Sequence, residues 1–317
     1  DLSYKMWDAL TVTAGARIYK TEVSGGYIGY GALARASGEG NHIEFLQTLG
    51  ENGVSPKITA TYKFDEDFSI YTQAARGFRF GGIQTVPSTP TNGVPPTYKS
   101  DSLWNYELGF RTSWFGKSLN ADLTLFKIYY KDAQIVQKTP DTKINYRTNV
   151  GDAESEGIEA ALFWLTPLEG LSLSLTGGYT DAYTKDPFTT STGKFVKAGS
   201  DMPGAAKYQY TSAVSYFGNL FQWLTVSAFA RYSYVGPSWG NIAHTDEVND
   251  YGTLDIGATL SGEFQSFQPV LSINLNNVTD EIAPVQGGTF AAGDQQPVSV
   301  FTLNAPRTLS ARLTVAF

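Results

Sequence analysis

The sequence predicts an all-β fold, an antiparallel transmembrane β-barrel with short turns at one rim and long loops at the other. Three observations carry that prediction. Apolar residues recur at every second position, connections alternate between short and long, and aromatic residues gather at strand ends. The last residues show the alternation most clearly. Leu309, Ala311, Leu313, Val315 and Phe317 are apolar, and Thr308, Ser310, Arg312 and Thr314 between them are polar or charged. A period of two gives a strand one oily and one wet face.

The same pattern can be followed from the start of the chain. Leu10, Val12, Ala14, Ala16 and Ile18 alternate with Thr11, Thr13, Gly15 and Arg17. Ile58, Ala60, Tyr62 and Phe64 alternate with Lys57, Thr59, Thr61 and Lys63. Leu171, Leu173 and Leu175 face away from Ser172, Ser174 and Thr176. Leu224, Val226, Ala228, Ala230, Tyr232 and Tyr234 oppose Thr225, Ser227, Arg231 and Ser233. Two more strands follow at Leu254 to Leu260 and Leu271 to Leu275. One strand departs: Leu119, Ala121, Leu123 and Leu125 hold the phase, and then Lys127 falls on the oily side. Either a bulge near Phe126 restores the register, or the strand has risen past the lipid and both faces are wet. About thirteen strands result.

Short connections are read near Asp8, at 65–67, 115–117, 167–170, 218–223 and 262–265. Long, structureless ones are read at 22–53, 80–101, 138–153, 184–205, 236–250 and 277–305. Long loops are uncommon within compact soluble domains. Six of them at every second connection put all long loops on one side, the pattern of a membrane barrel. Trp104 and Tyr106, Trp114 and Phe115, Tyr129 and Tyr130, Phe163 and Trp164, Phe217, Phe221 and Trp223, and Tyr232 and Tyr234 with Trp239 stand where strands meet connections. Such rings suit two interfacial girdles.

Composition narrows the function classes. Cysteine is absent, which removes disulfides and thiolate metal sites. No run of eighteen apolar residues forms a transmembrane helix. No leader precedes Asp1, so the chain is expected to be a mature or truncated piece. The net charge of −7 argues against nucleic-acid binding. His42 and His244 lie in long connections outside any nucleophile motif, so no catalytic residue is expected. The acidic turn Asp65-Glu66-Asp67 reads as turn chemistry rather than a metal site, and no cofactor is implied. The glycine-rich stretch from Gly25 to Gly31 precedes no helix and is no phosphate loop.

Several segments together resemble the C-terminal part of a TonB-dependent receptor, the plugged 22-stranded transporter of Gram-negative outer membranes. Leu10-Thr11-Val12-Thr13-Ala14-Gly15-Ala16-Arg17-Ile18-Tyr19 is similar to one of the family's strands, and Ser55-Pro56-Lys57 opens another. Ala75-Arg76-Gly77-Phe78-Arg79-Phe80-Gly81-Gly82 resembles its glycine-phenylalanine-arginine-proline-glycine-glycine stretch, with Phe80 in place of the proline. Asn105-Tyr106-Glu107-Leu108-Gly109, Asn149-Val150-Gly151-Asp152-Ala153 before Gly157-Ile158-Glu159, and Leu275-Asn276-Asn277-Val278-Thr279-Asp280 before Pro306-Arg307-Thr308 follow in the family's order.

The resemblance implies that residues 1–317 form the C-terminal portion of the barrel, about strands ten to twenty-two. The plug domain, the TonB box and the first strands are expected outside this chain. It further implies uptake of a scarce nutrient, most often a ferric siderophore. The expected partners are a small-molecule or metal-chelate ligand, outer-membrane lipid and lipopolysaccharide, the barrel-assembly machinery, and the TonB-ExbB-ExbD complex reached through the missing N-terminal part. Candidate ligand contacts are the loop residues Tyr27, Tyr30, Phe80, Tyr98, Tyr146, Trp239 and His244. Parity puts Arg17, Glu107, Arg111, Arg231 and Arg312 on the lumen face, for plug contacts or for bracing the wall. A charge facing lipid at mid-membrane costs roughly 2–4 kcal/mol, which enforces that placement. Gly77, Gly81 and Gly82 are expected to let the backbone turn at the outer rim. The competing reading is a passive porin or channel, a complete unplugged barrel of about fourteen strands. By analogy with the family, the terminal aromatic Phe317 is an assembly signal. Deleting it is expected to lower the yield of folded, heat-modifiable barrel in outer membranes several-fold, whereas an unchanged yield makes the residue incidental.

Overall fold

The computed structural model describes residues 1–31, 40, 42–84, 93–139, 145–264, 267–290 and 298–316. The chain enters through β1 (Leu2–Lys5), β2 (Leu10–Tyr30), β3 (His42–Lys63) and β4 (Phe68–Arg79). A small hairpin, β5 (Gly82–Ile83) with β6 (Thr97–Tyr98), leads to β7 (Asp101–Trp114) and β8 (Leu119–Lys131). The hairpin β9 (Gln134–Lys138) with β10 (Asn145–Asn149) precedes β11 (Ala153–Leu165) and β12 (Leu171–Thr184). After β13 (Phe188–Thr189) and β14 (Phe195–Val196) come β15 (Tyr208–Phe221) and β16 (Leu224–Val235). Then follow β17 (Ser238–Trp239), β18 (Glu247–Val248), β19 (Tyr251–Gly262) and β20 (Gln268–Asn276). The last three are β21 (Pro284–Phe290), β22 (Val298–Leu303) and β23 (Thr308–Ala316).

Thirteen of these form one sheet in the order β1-β2-β3-β4-β7-β8-β11-β12-β15-β16-β19-β20-β23. Every adjacent pair is antiparallel, and the five small hairpins stand apart as sheets of two strands. The sheet is therefore a meander, and its long connections all leave from one edge. β1 and β23 end the order and do not pair with each other.

Register carries the period of two across the wall. One row runs Trp114, Leu119, Trp164, Leu173, Val214, Ala230, Ile256, Leu275, Leu309, apolar throughout. On the opposite face a row runs Ser69, Arg111, Asp122, Ala161, Thr176, Thr211, Ser233, Thr253. Side chains on the apolar face are widely exposed, Leu309 by 70% and Leu313 by 66%, a surface that water does not tolerate in such extent. The buried core lies elsewhere, among the long connections.

Aromatic rings mark both ends of the apolar face. At the short-turn edge Phe64 stacks on Phe68, Phe221 on Trp223, and Phe264 on Phe267, with centroids 4.8–5.6 Å apart. At the loop edge Tyr106 meets Tyr129 at 6.0 Å, Tyr179 meets Tyr208 at 5.1 Å, and Tyr210 meets Tyr234 at 5.2 Å. On β7 the two belts fall at Trp104 and Trp114. That separation is about 33 Å along the strand, or about 25 Å in height at a tilt of about 40°.

Two sequence expectations change here. The connection at 22–53 is no loop, because β2 and β3 remain paired up to Tyr30 and His42. The glycine-rich stretch is expected from sequence to run into a loop, but Gly26 lies in the ladder, where a Cβ would stand 1.7 Å from the Phe45 carbonyl oxygen. The other long connections are also structured, since each carries one of the small hairpins. Lys127 has a clear answer as well. β8 pairs with β7 and β11 without a register shift, so no bulge exists and Lys127 stands on the apolar-face parity at the loop edge.

Close approach explains the glycine of Asn105-Tyr106-Glu107-Leu108-Gly109. The Tyr71 ring lies flat over Gly109, and a Cβ there would come within 2.0 Å of it. The Arg111 guanidinium lies over that ring at 4.6 Å, and the Tyr71 hydroxyl stands 3.1 Å from that of Thr124. Gly109→Ala is expected to destabilise the wall by about 1–3 kcal/mol through overpacking. The Gly109→Ala, Tyr71→Ala double variant should show a smaller loss than the two single losses summed, measured by urea unfolding in detergent.

Candidate functional site

At the loop edge the connections fold onto one another instead of projecting separately. Ile135, Val150, Val196 and Ile242 come from three different connections and form a buried apolar cluster, with Phe188 and Met202 packed against it. Val94 and Tyr146 form a second. This layer is built from the long connections, at the loop edge of the sheet.

The connection at 80–101 is bound closely to the one at 132–152. Two side-chain amides imitate strand pairing there. Asn149 accepts from the Lys99 N–H at 2.9 Å and donates to its carbonyl at 3.1 Å. Gln84 donates to the Arg147 carbonyl and accepts from its N–H at 3.3 Å. Beneath them lies Asp101, whose side chain is 2% exposed. Its carboxylate accepts from the Arg79 guanidinium, from the Arg79 N–H at 3.2 Å and from the Gln134 N–H at 3.0 Å. Arg79 also donates to the Gln134 carbonyl at 3.2 Å. The charge is buried but fully partnered, the condition under which a buried carboxylate is tolerated.

Between this block and the upper part of the β2–β3 hairpin is a cleft of about 420 Å³. The hairpin contributes Thr21, Val23, Leu49 and Glu51, and the opposite side contributes Phe80, Tyr98, Lys99 and Asp132. Thr21, Val23, Leu49 and Glu51 share the parity of Arg17, so the cleft opens from the polar face. Phe80 is part of an aromatic group with Phe78 and Tyr19, which stack at 3.7 Å. Lys99 and Glu51 are in no ion pair among the described residues, leaving both signs of charge available beside apolar surface. Gly81 and Gly82 do not turn the backbone with a positive φ as expected. They allow close approach: a Cβ on Gly81 would meet the Tyr98 carbonyl oxygen at 2.6 Å, and one on Gly82 would meet the Tyr98 ring. Gly77 likewise has no positive φ and faces the Leu103 side chain.

Of the seven candidate ligand residues, the cleft brings together Phe80 and Tyr98. Tyr27 is a strand residue, not a loop residue, stacked on Phe45 at 5.5 Å. Tyr30 is also in β2, at the end of its ladder, tilted against His42 and 71% exposed. Tyr146 is 6% exposed and therefore buried. Trp239 and His244 stack on each other at 4.5 Å in the 236–250 connection, with His244 Nε2 2.8 Å from the Asp201 carbonyl. Sequence reasoning missed Gln84, Asp101 and Gln134, for which no local pattern stood out, and it had Asn149 only as part of a family-like segment, with no role for its side chain. On the polar face lie Arg17, Glu107, Arg111, Arg231 and Arg312. Arg231 pairs with Asp255 at 2.8 Å, Arg111 with Asp122 at 3.7 Å, and Glu107 accepts from Asn105 at 2.6 Å. Arg17 and Arg312 are in no ion pair among the described residues. Phe317 lies outside the described residues.

The family of TonB-dependent receptor-like β-barrels matches residues 1–278. The chain belongs to the TonB-dependent receptor family. The pesticin receptor of Yersinia pestis is 25% identical over 265 residues, covering 80% of this chain and 35% of that receptor. Among solved structures, the ferric yersiniabactin uptake receptor FyuA of Yersinia pestis has a TM-score of 0.76 at 20% identity, over 99% of this chain and 44% of that one. The siderophore receptor PiuA of Acinetobacter baumannii has a TM-score of 0.68 at 18% identity, over 99% of this chain and 42% of that one. The chain thus spans about a third of the length of the curated relatives it matches.

This TonB-dependent receptor barrel is an outer-membrane protein of a Gram-negative bacterium, and its family consists of receptors and transporters rather than enzymes. The apolar face is accordingly the lipid face and the polar face the lumen. Lys127 then stands at the outer lipid boundary, 2.7 Å from Glu156 and 3.4 Å from Glu154. Lys185 also binds Glu154, while Lys207 binds Asp181 at 3.2 Å and Asp201 at 3.3 Å. The hydrogen bonds that Lys207 donates to Asp181 and then to Asp201 raise its pKa above the ordinary value. Lys207 therefore remains charged throughout the physiological range. Asp101→Ala in the loop layer is expected to cost about 2–4 kcal/mol, below the about 3–5 of a fully buried pair because Arg79 is half exposed. Urea unfolding followed by tryptophan fluorescence measures it.

Proposed function

We propose that this chain is the C-terminal wall of an outer-membrane receptor that imports a ferric siderophore, with the cleft between the β2–β3 hairpin and the 80–101 connection as a ligand contact. The observation that carries the reading is that cleft, an upper-lumen opening lined by Phe80 and Tyr98 with Lys99 and Glu51 beside them. Aromatic and apolar surface with a few placed charges suits a bulky chelate of mixed polarity. Structurally similar receptors agree in kind, since they take ferric yersiniabactin, ferric preacinetobactin or ferripyoverdine.

The open order of the sheet supports a larger barrel. β1 and β23 leave unpaired edges, and each unsatisfied backbone group in hydrocarbon costs several kcal/mol. Further strands of the complete receptor close the wall, and a plug fills the lumen against Arg17, Arg111 and their neighbours. Energy reaches it from TonB-ExbB-ExbD through a segment outside this chain. Barrel-assembly machinery inserts it, and the charged residues around Lys127 lie at the level of the lipopolysaccharide headgroups. A passive channel is the competing reading, and steady ion conductance of the purified protein in planar bilayers would favour it.

Uptake of labelled ferric yersiniabactin by iron-starved cells tests the reading, with and without TonB. Phe80→Ala and Tyr98→Ala should each raise the half-saturation concentration about tenfold, the order of one lost aromatic contact. Uptake that persists without TonB contradicts the transport mechanism.

A further inference from the structure

We propose that Gln134 is a positioning residue for ligand recognition, holding the Phe80 and Lys99 side of the cleft in place from the neighbouring connection. The inference rests on the cleft reading above and goes beyond it, since Gln134 lines no part of the cleft. Its Nε2 donates to two carbonyls, those of Phe80 and Lys99, both at 2.9 Å. Those residues are the two feet of the 80–101 connection, nineteen positions apart in sequence, and one side chain spans them. Asp101 accepts from the Gln134 N–H and Arg79 donates to its carbonyl, so the main chain of Gln134 is fixed to the same feet. Asn149 repeats the arrangement on Lys99.

Gln134 as a residue is 5% exposed, and its Oε1 is buried without a hydrogen-bond partner. A buried amide with one half unsatisfied is costly. Burial of a glutamine here contributes nothing that a methionine of similar volume would not, except the two bonds to the feet. The arrangement favours geometry at the cleft over stability.

Gln134→Met keeps the volume and removes both bonds, and Gln134→Glu replaces the donor with an oxygen facing two carbonyl oxygens. Both are made in the complete receptor, in nanodiscs for hydrogen exchange and in cells for uptake of ferric yersiniabactin. Amide exchange at residues 80–84 and 97–101 should accelerate about tenfold, the order expected for one lost hydrogen bond, while exchange at 224–235 in the wall stays unchanged. Half-saturation of uptake should rise about fivefold or more with the maximal rate unchanged. Unchanged exchange at the feet overturns the proposal. So does a fall in maximal rate with half-saturation constant, which is the signature of fewer folded receptors. Failure of the cleft reading shows separately: Phe80→Ala and Tyr98→Ala then leave half-saturation unmoved even though Gln134→Met loosens the feet.

Discussion

A backbone that crosses hydrocarbon has no water to bind, so each N–H and C=O must find its partner inside the sheet. The rest of this molecule depends on that requirement. It forces the wall into neighbour-to-neighbour pairing, because a meander lets each strand satisfy two others without a crossover. It fixes register too, since a slip of one residue would turn a whole oily face into the lumen. Nine apolar residues in one row, from Trp114 to Leu309, are the visible result. The connections escape the requirement once they are above the lipid, and there the chain changes character. Buried apolar clusters, side-chain amides and a partnered carboxylate replace the uniform ladder.

That change of character decides what could be read from sequence. Faces of the wall were legible because a period of two needs only local residues, and thirteen strands could be counted from it. The single exception, Lys127, was legible as an exception, and its explanation needed the pairing on both sides. Residues 22–53 were misread because glycine normally weakens a strand. Gly26 instead sits beneath the Phe45 carbonyl, a closeness no local pattern announces. The cleft was half legible. Phe80 and Tyr98 stood out as aromatic residues in a connection, but Tyr146 looked the same and is buried. Asp101 and Gln134 were invisible, and Asn149 stood only in a family-like segment, because the importance of all three lies in contacts between separate connections.

Several family segments also acquire physical reasons. Gly109 is small because Tyr71 lies across it, and Gly81 because three backbone groups crowd it. Asn277 has a φ of 50° and donates to the carbonyls of Glu281 and Ala305 at 2.8 and 3.0 Å, while accepting from the Glu281 N–H. It ties the feet of the final connection as Gln134 ties those of the 80–101 connection. Asp280 adds a bond to the Arg307 N–H at 3.0 Å, which joins the Leu275-Asn276-Asn277-Val278-Thr279-Asp280 segment to Pro306-Arg307-Thr308. An amide side chain can donate and accept at once, and a loop foot presents both kinds of backbone group.

The paired arm formed by β2 and β3 continues for thirteen residues beyond Arg17, to Tyr30. At strand rise that is about 43 Å, more than the thickness of the hydrocarbon it stands on. Near its base Tyr19 lies over Gly53 and stacks on Phe78. The arm is a lever with an aromatic fulcrum. A rotation of about 10° there sweeps the tip through about 7 Å, so small repacking beside the cleft is magnified into a large displacement far out in the medium.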